Sequence, residues 1–144
     1  MKTVHQILQT KGYEIWAIDP DATVYGALNL LAEKNVGALP VTRGGSLIGI
    51  FSERDYARKV ILKGKHSKDT AVREVMTEKP ICVAPGDSIE ACMALMTANH
   101  IRHLPVLEGD RLVGVVSIGD VVKEIIVEQQ STISHLENFI TGKR

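Results

Sequence analysis

Apolar positions along the chain alternate between two periods. Val24, Ala27, Leu28 and Leu31 fall at i, i+3, i+4 and i+7, and Ile89, Cys92, Met93 and Met96 repeat that stripe. Each set predicts one amphipathic helix of about three turns. The period then shortens. Leu39 to Thr42 and Leu47 to Phe51 are β-rich runs around Arg43-Gly44-Gly45-Ser46, and Leu104 to Leu107 and Leu112 to Val116 flank Glu108-Gly109-Asp110-Arg111. Each pair predicts a β-hairpin, with a proline that starts its first strand or places it at an edge. A second helix is expected from about Arg54 to Lys63 and from about Asp120 to His135, and a short strand in front of each unit at Ile15 to Ile18 and Ile81 to Val83.

The resemblance between these halves is literal. Residues 18 to 58 align with 83 to 123 without a gap at an offset of 65, with ten identities: Pro20/Pro85, Leu30/Leu95, Leu39/Leu104, Pro40/Pro105, Val41/Val106, Gly44/Gly109, Leu47/Leu112, Gly49/Gly114, Ser52/Ser117 and Asp55/Asp120. The lead-in repeats too, Val4 to Leu8 against Val72 to Met76, but at an offset of 68, so the first copy holds three extra residues between Leu8 and Trp16. The predicted fold class is α+β: two β-α-β-β-α units related by a pseudo-twofold axis and packed sheet to sheet. One unit of about 55 residues has a single apolar face, and its duplicate supplies the cover. Residues 1–70 form the first repeat with its lead-in helix and linker, and 71–144 the second with a helical tail.

Composition narrows the class. The chain of 144 residues is 44% hydrophobic and 24% charged, with mean hydropathy +0.04 and no apolar run of membrane-spanning length. Seventeen basic residues balance seventeen acidic ones, which argues against a nucleic-acid or membrane-surface partner. Cys82 and Cys92 make neither a CxxC pair nor a zinc set and are expected as core thiols; no secretory signal is evident, and a cytoplasmic location is expected. The histidines lack metal-ligand spacing, and no P-loop, G-x-G-x-x-G or G-x-S-x-G is present, so neither a metal centre nor an enzyme is expected.

The candidate chemistry lies at Ser52-Glu53-Arg54-Asp55 and Ser117-Ile118-Gly119-Asp120, each where a buried strand meets a helix. S-x-x-D at a helix start is a capping pattern. The same geometry offers helix N–H groups to an anion and a carboxylate to ribose hydroxyls. The residues alone leave both readings open.

The two copies of h-P-h, a turn, then G-h-h-S-x-x-D are Leu39-Pro40-Val41 with Gly49 to Asp55, and Leu104-Pro105-Val106 with Gly114 to Asp120. Together with the lead-in Val72-Arg73-Glu74-Val75-Met76-Thr77, this pattern resembles a tandem pair of cystathionine-β-synthase (CBS) domains, the Bateman module, over roughly residues 3 to 130. The resemblance implies a regulatory sensor of adenosyl ligands, AMP, ADP or ATP, or in some members S-adenosylmethionine or NAD, acting on a partner protein that the sequence does not name. It implies two clefts, each drawing on both repeats. One would join Ile50, Ser52, Arg54 and Asp55 with Ile81, Ile101, Arg102 and His103. The other would join Val115, Ser117, Gly119 and Asp120 with Trp16, Val36, Gly37 and Ala38. It also implies a homodimer.

The copies differ at these positions. Arg102-His103 stands opposite Gly37-Ala38, and Arg54 opposite Gly119, so the Asp55 cleft is expected to favour phosphates. Residues 54 to 73 carry seven Lys or Arg against Asp55 and Asp69, read either as support for that cleft or as a solvated face. In the tail, Ile125, Ile126, Ile133, Leu136, Phe139 and Ile140 either close the monomer's core or meet a partner. A structural dimerisation module with degenerate sites is the competing reading of a different class.

Overall fold

The computed structural model describes residues 2–141. In chain order the elements are α1 (Val4–Lys11), α2 (Val24–Lys34), β1 (Ala38–Arg43), β2 (Ser46–Ser52), α3 (Glu53–Tyr56) continued by a π-helical turn (Ala57–Ile61), α4 (Val72–Val75), β3 (Thr77–Glu78), α5 (Ile89–Asn99), β4 (His103–Glu108), β5 (Arg111–Ser117) and α6 (Ile118–Thr141). The protein is α+β, with a sheet ordered β1-β2-β3 and a second of β4-β5; β2 and β5 meet between the two units.

The internal repeat is expressed down to single hydrogen bonds. Both hairpins pair antiparallel, Leu39 opposite Phe51 and Leu104 opposite Val116, with a register shift after Val41 and after Val106. Asn35 and His100, 65 apart, both end their helices in the left-handed conformation at φ 53°. The Glu53 N–H donates to the Gly37 carbonyl (3.1 Å) as the Ile118 N–H does to Arg102 (2.8 Å), tying each second helix to the chain that enters its own hairpin.

Three elements depart from expectation. The strands expected at 15–18 and 81–83 shrink to single parallel bridges, Ile18 to Val41 and Val83 to Val106. Pro20 and Pro85 stand two residues beyond each bridge and end the pairing on that side. The helix expected over 54–63 is one α turn followed by a π turn. The last helix runs to Thr141, and beyond Ile125, which packs on the core, its apolar tail residues are exposed rather than closing the monomer. Of the cysteines, Cys92 is buried as expected, but Cys82 is only half-buried, its thiol donating to the Pro80 carbonyl.

The two cores do not coincide with the two halves of the sequence. Val4, Ile7 and Leu8 of α1 pack with Val83, Ile89, Cys92, Met96, Leu104, Val106, Val116 and Val121, all from the second half. Conversely, Val72 and Val75 of α4 pack with Val24, Leu31, Leu39, Val41, Phe51 and Val60 of the first. Each repeat lends its lead-in to the other. The chain then adds β3 to the first sheet, Thr77 opposite Ile50 and Glu78 opposite Gly49.

This exchange explains the glycine that opens each G-h-h run. A Cβ on Gly49 would lie 2.7 Å from Met76 Sδ and 2.9 Å from the Thr77 carbonyl; one on Gly114 would lie 2.7 Å from a Leu8 methyl. Both glycines let the borrowed lead-in cross the strand in contact with its backbone. Gly49→Ala is therefore expected to cost about 1–3 kcal/mol of stability in chemical denaturation, because the Thr77 main chain cannot yield as a side chain does. Unchanged stability would contradict the close approach.

Candidate functional site

Two cavities open between the units, each at the junction of a hairpin's second strand with the following helix. The larger, about 700 Å³, is lined by Ile50, Ser52, Arg54 and Asp55 from one repeat and Ile81, Ile101, Arg102 and His103 from the other. The smaller, about 450 Å³, is lined by Val115, Ser117, Gly119 and Asp120 together with Trp16, Val36, Gly37 and Ala38. Both volumes are in the range of small-molecule sites. All sixteen residues singled out from the sequence lie on these walls.

Ser52 and Asp55 form a reciprocal cap at the start of α3. The Asp55 N–H donates to Ser52 Oγ (3.2 Å), and the Ser52 N–H donates to Asp55 Oδ2 (3.0 Å). Ser117 and Asp120 repeat this at the start of α6, at 3.1 and 2.9 Å. The capping role left open by the sequence is thus real in both copies. It does not exhaust the carboxylates, which accept at about four positions each.

The two aspartates spend the rest differently. Asp55 is buried, and its Oδ2 also accepts from the Ser52 hydroxyl (3.1 Å), while Oδ1 accepts from the Thr77 hydroxyl (3.1 Å) and pairs with Lys59 at 3.0 Å. A ribose hydroxyl reaching Asp55 must replace one of these, and the Lys59 pair, whose ammonium is solvent-exposed, is the cheapest to give up. Position 124, the counterpart of Lys59, is glutamate and pairs with Lys2. Asp120 instead takes Lys11 from the end of α1, Nζ to Oδ2 at 2.7 Å, with a second bond from Nζ to the Val115 carbonyl at 2.8 Å. Burial pushes the Asp120 carboxyl up, but the Lys11 ammonium and the Ser117 bonds outweigh it and hold the group below the usual aspartate range.

Charge distinguishes the cavities. Arg54, Lys79 and Arg102 line the Asp55 cleft against Glu53 and Asp55, whereas the Asp120 cleft has Lys11 against Glu14 and Asp120. Arg54 also donates to the His100 carbonyl at the end of α5, which fixes its guanidinium at the cleft mouth. Of the seven cations of residues 54–73, only Arg54 lines the cavity and Lys59 touches its carboxylate; Arg73 pairs with Asp21 at 2.7 Å and Lys68 lies over the Tyr25 ring. The remainder of that segment is the solvated face that the sequence equally allowed.

Gly37 and His103 line both cavities and form the wall between them. A Cβ on Gly37 would lie 3.1 Å from the His103 ring, so the imidazole rests on bare backbone. Burial, then the nearby Lys11 charge, pushes the His103 pKa down despite Asp120, so the ring is neutral at pH 7.

Sequence reasoning missed Lys11, Thr77 and Lys79. For Lys11 the signal was the three extra residues of the first lead-in, which lengthen α1 until its last residue reaches Asp120. Thr77 closes the lead-in motif. Lys79 holds φ 48° ahead of Pro80, a conformation unfavourable for both its own side chain and a residue before proline.

Among the described residues no helix is long and apolar enough to cross a membrane. The CBS domain family matches residues 6–62 and 72–127. The CBS domain-containing protein CBSX3, mitochondrial, of Arabidopsis thaliana is 40% identical over 97% of this chain and 72% of its own. Among solved structures, a protein with CBS domains from Burkholderia ambifaria MC40-6 superposes with TM-score 0.85 at 49% identity, over 89% of this chain and 96% of that one. The CBS-domain protein ATU1752 of Agrobacterium tumefaciens gives TM-score 0.81 at 35% identity, over 85% and 98%. With two tandem matches that together cover most of its length, the chain belongs to the CBS-domain family.

Proposed function

We propose that the chain is a regulatory, non-enzymatic module that binds an adenine nucleotide, AMP, ADP or ATP, in the Asp55 cleft and passes its level to a partner protein as a homodimer in the cytoplasm. The observation that carries this reading is the cleft's composition. Apolar walls from Ile50, Ile81 and Ile101 suit a purine, Ser52 and Asp55 at the head of α3 suit a ribose, and Arg54, Lys79 and Arg102 stand where phosphates would be neutralised. Both repeats supply walls, so a ligand that prefers one relative placement of the units shifts the population toward it.

The Asp120 cleft has one cation against two carboxylates and supports a less phosphorylated adenosyl ligand, S-adenosylmethionine, or part of NAD, whose length suits two cavities sharing a wall at Gly37 and His103. The competing structural reading has its own support: every acceptor position of Asp55 already holds a donor from the protein. Mass spectrometry of the denatured, freshly purified protein separates the readings. An adenine nucleotide released in stoichiometric amount is expected; an empty protein that also fails to take up added nucleotide would support the structural module.

A further inference from the structure

The far end of α6 leaves the body of the protein. Every residue from Gln129 to Thr141 is exposed, including the apolar Ile133, Leu136, Phe139 and Ile140, the last two above 80%. An isolated helix of about 12–15 residues is marginal in water, and a continuous apolar face on one calls for a cover.

The spacing of that face identifies the cover. Val122, Ile126, Gln129, Ile133, Leu136 and Ile140 succeed one another at steps of four and three, the alternating d and a positions of a heptad repeat. We propose that α6 of a second copy of this chain packs on it antiparallel, about a twofold axis beside Ser131. In that register Val122 meets the partner's Ile140, Ile126 the partner's Leu136, and Gln129 the partner's Ile133. The flanking positions then agree in kind: Lys123 faces the partner's Glu137, twice by symmetry, and the outer edge of Ile125 faces the partner's Phe139. Thr132 faces its own copy at the axis. A parallel pair would instead set Ile125 beside Gln130 and Thr132 beside Glu137, with no opposite charges matched. Charge complementarity therefore selects the antiparallel arrangement. The contact spans about 27 Å of helix at 1.5 Å per residue and covers Val122, Ile126, Ile133, Leu136, Phe139 and Ile140 together. It rests on the homodimer part of the function proposed above and is independent of the nucleotide.

Sedimentation equilibrium of the full chain at micromolar concentration tests this. The wild type is expected at twice 15.7 kDa, and Ile133→Asp with Leu136→Asp at 15.7 kDa but still melting in one cooperative transition, since both sites are exposed on the single chain. Lys123→Glu and Glu137→Lys alone are expected to weaken the dimer roughly tenfold, because each puts two pairs of like charges in opposition, and the two together to restore it. A monomeric wild type would overturn both this interface and the homodimer. A dimer that survives the paired aspartates, or a double charge reversal no better than the single ones, would overturn the interface alone.

Discussion

Leu8→Ala is expected to destabilise the protein by about 2–5 kcal/mol, although Leu8 lies sixteen residues before Val24, where the first repeated helix stripe begins. Leu8 is 1% exposed, and it packs among Leu104, Val106, Val116 and Val121 of the second repeat, over the bare backbone of Gly114. Gly114 has no side chain with which to refill the space. The cavity therefore stays open, which sets large core truncations apart from small ones. For a chain of this size the melting temperature should fall by roughly 10 °C, as a single cooperative transition because the exchanged lead-ins join the two cores. A shift of only a degree or two would show that α1 is not part of the second core. Tyr13→Ala, at an exposed position two residues beyond α1, provides the contrast and should leave the transition where it is.

Asp55→Ala carries the second large effect, on binding. Removing the carboxylate deletes the group proposed to meet the ribose and frees Lys59 and the Thr77 hydroxyl from their partner. Nucleotide affinity is expected to fall at least about tenfold, the loss of one or two hydrogen bonds to a charged group. The same substitution removes half of the cap of α3, costing about 0.5–2 kcal/mol of stability. Asp120→Ala removes an equivalent cap and an ion pair from the other cleft. The pair of variants thus separates capping from binding. Comparable losses of stability are expected in both, and loss of AMP and ATP binding in the Asp55 variant.

Much of this was legible in the sequence because the duplication states it twice. Helix stripes at Val24 and Ile89, hairpins around Gly44 and Gly109, and the S-x-x-D starts all recur at one offset, and the structure places them in matching roles. The sixteen residues that the family resemblance divided between two clefts line two cavities of the structure. The rest depended on contacts between distant parts of the chain. Val4, Ile7 and Leu8 show an apolar face, but nothing local says that it serves the core built from Val83 to Val121. Lys11 is an ordinary charged residue at a helix end until Asp120 is placed beside it. The single-residue bridges at Ile18 and Val83 share their apolar pattern with true strands, and only the adjoining prolines hint at how short they are. The Gly37 and His103 wall is formed by two residues 66 apart, one from each repeat.

The proposed function stands or falls with a nucleotide site in the cleft between the repeats, with Asp55 at its centre. Calorimetric titration of the folded protein and of its Asp55→Ala variant with AMP and with ATP tests this most directly. Saturable binding to the wild type, at least about tenfold weaker in a variant that still melts cooperatively, is the predicted result. Equal heats from both proteins, or none from the wild type after any bound nucleotide has been removed, would contradict it.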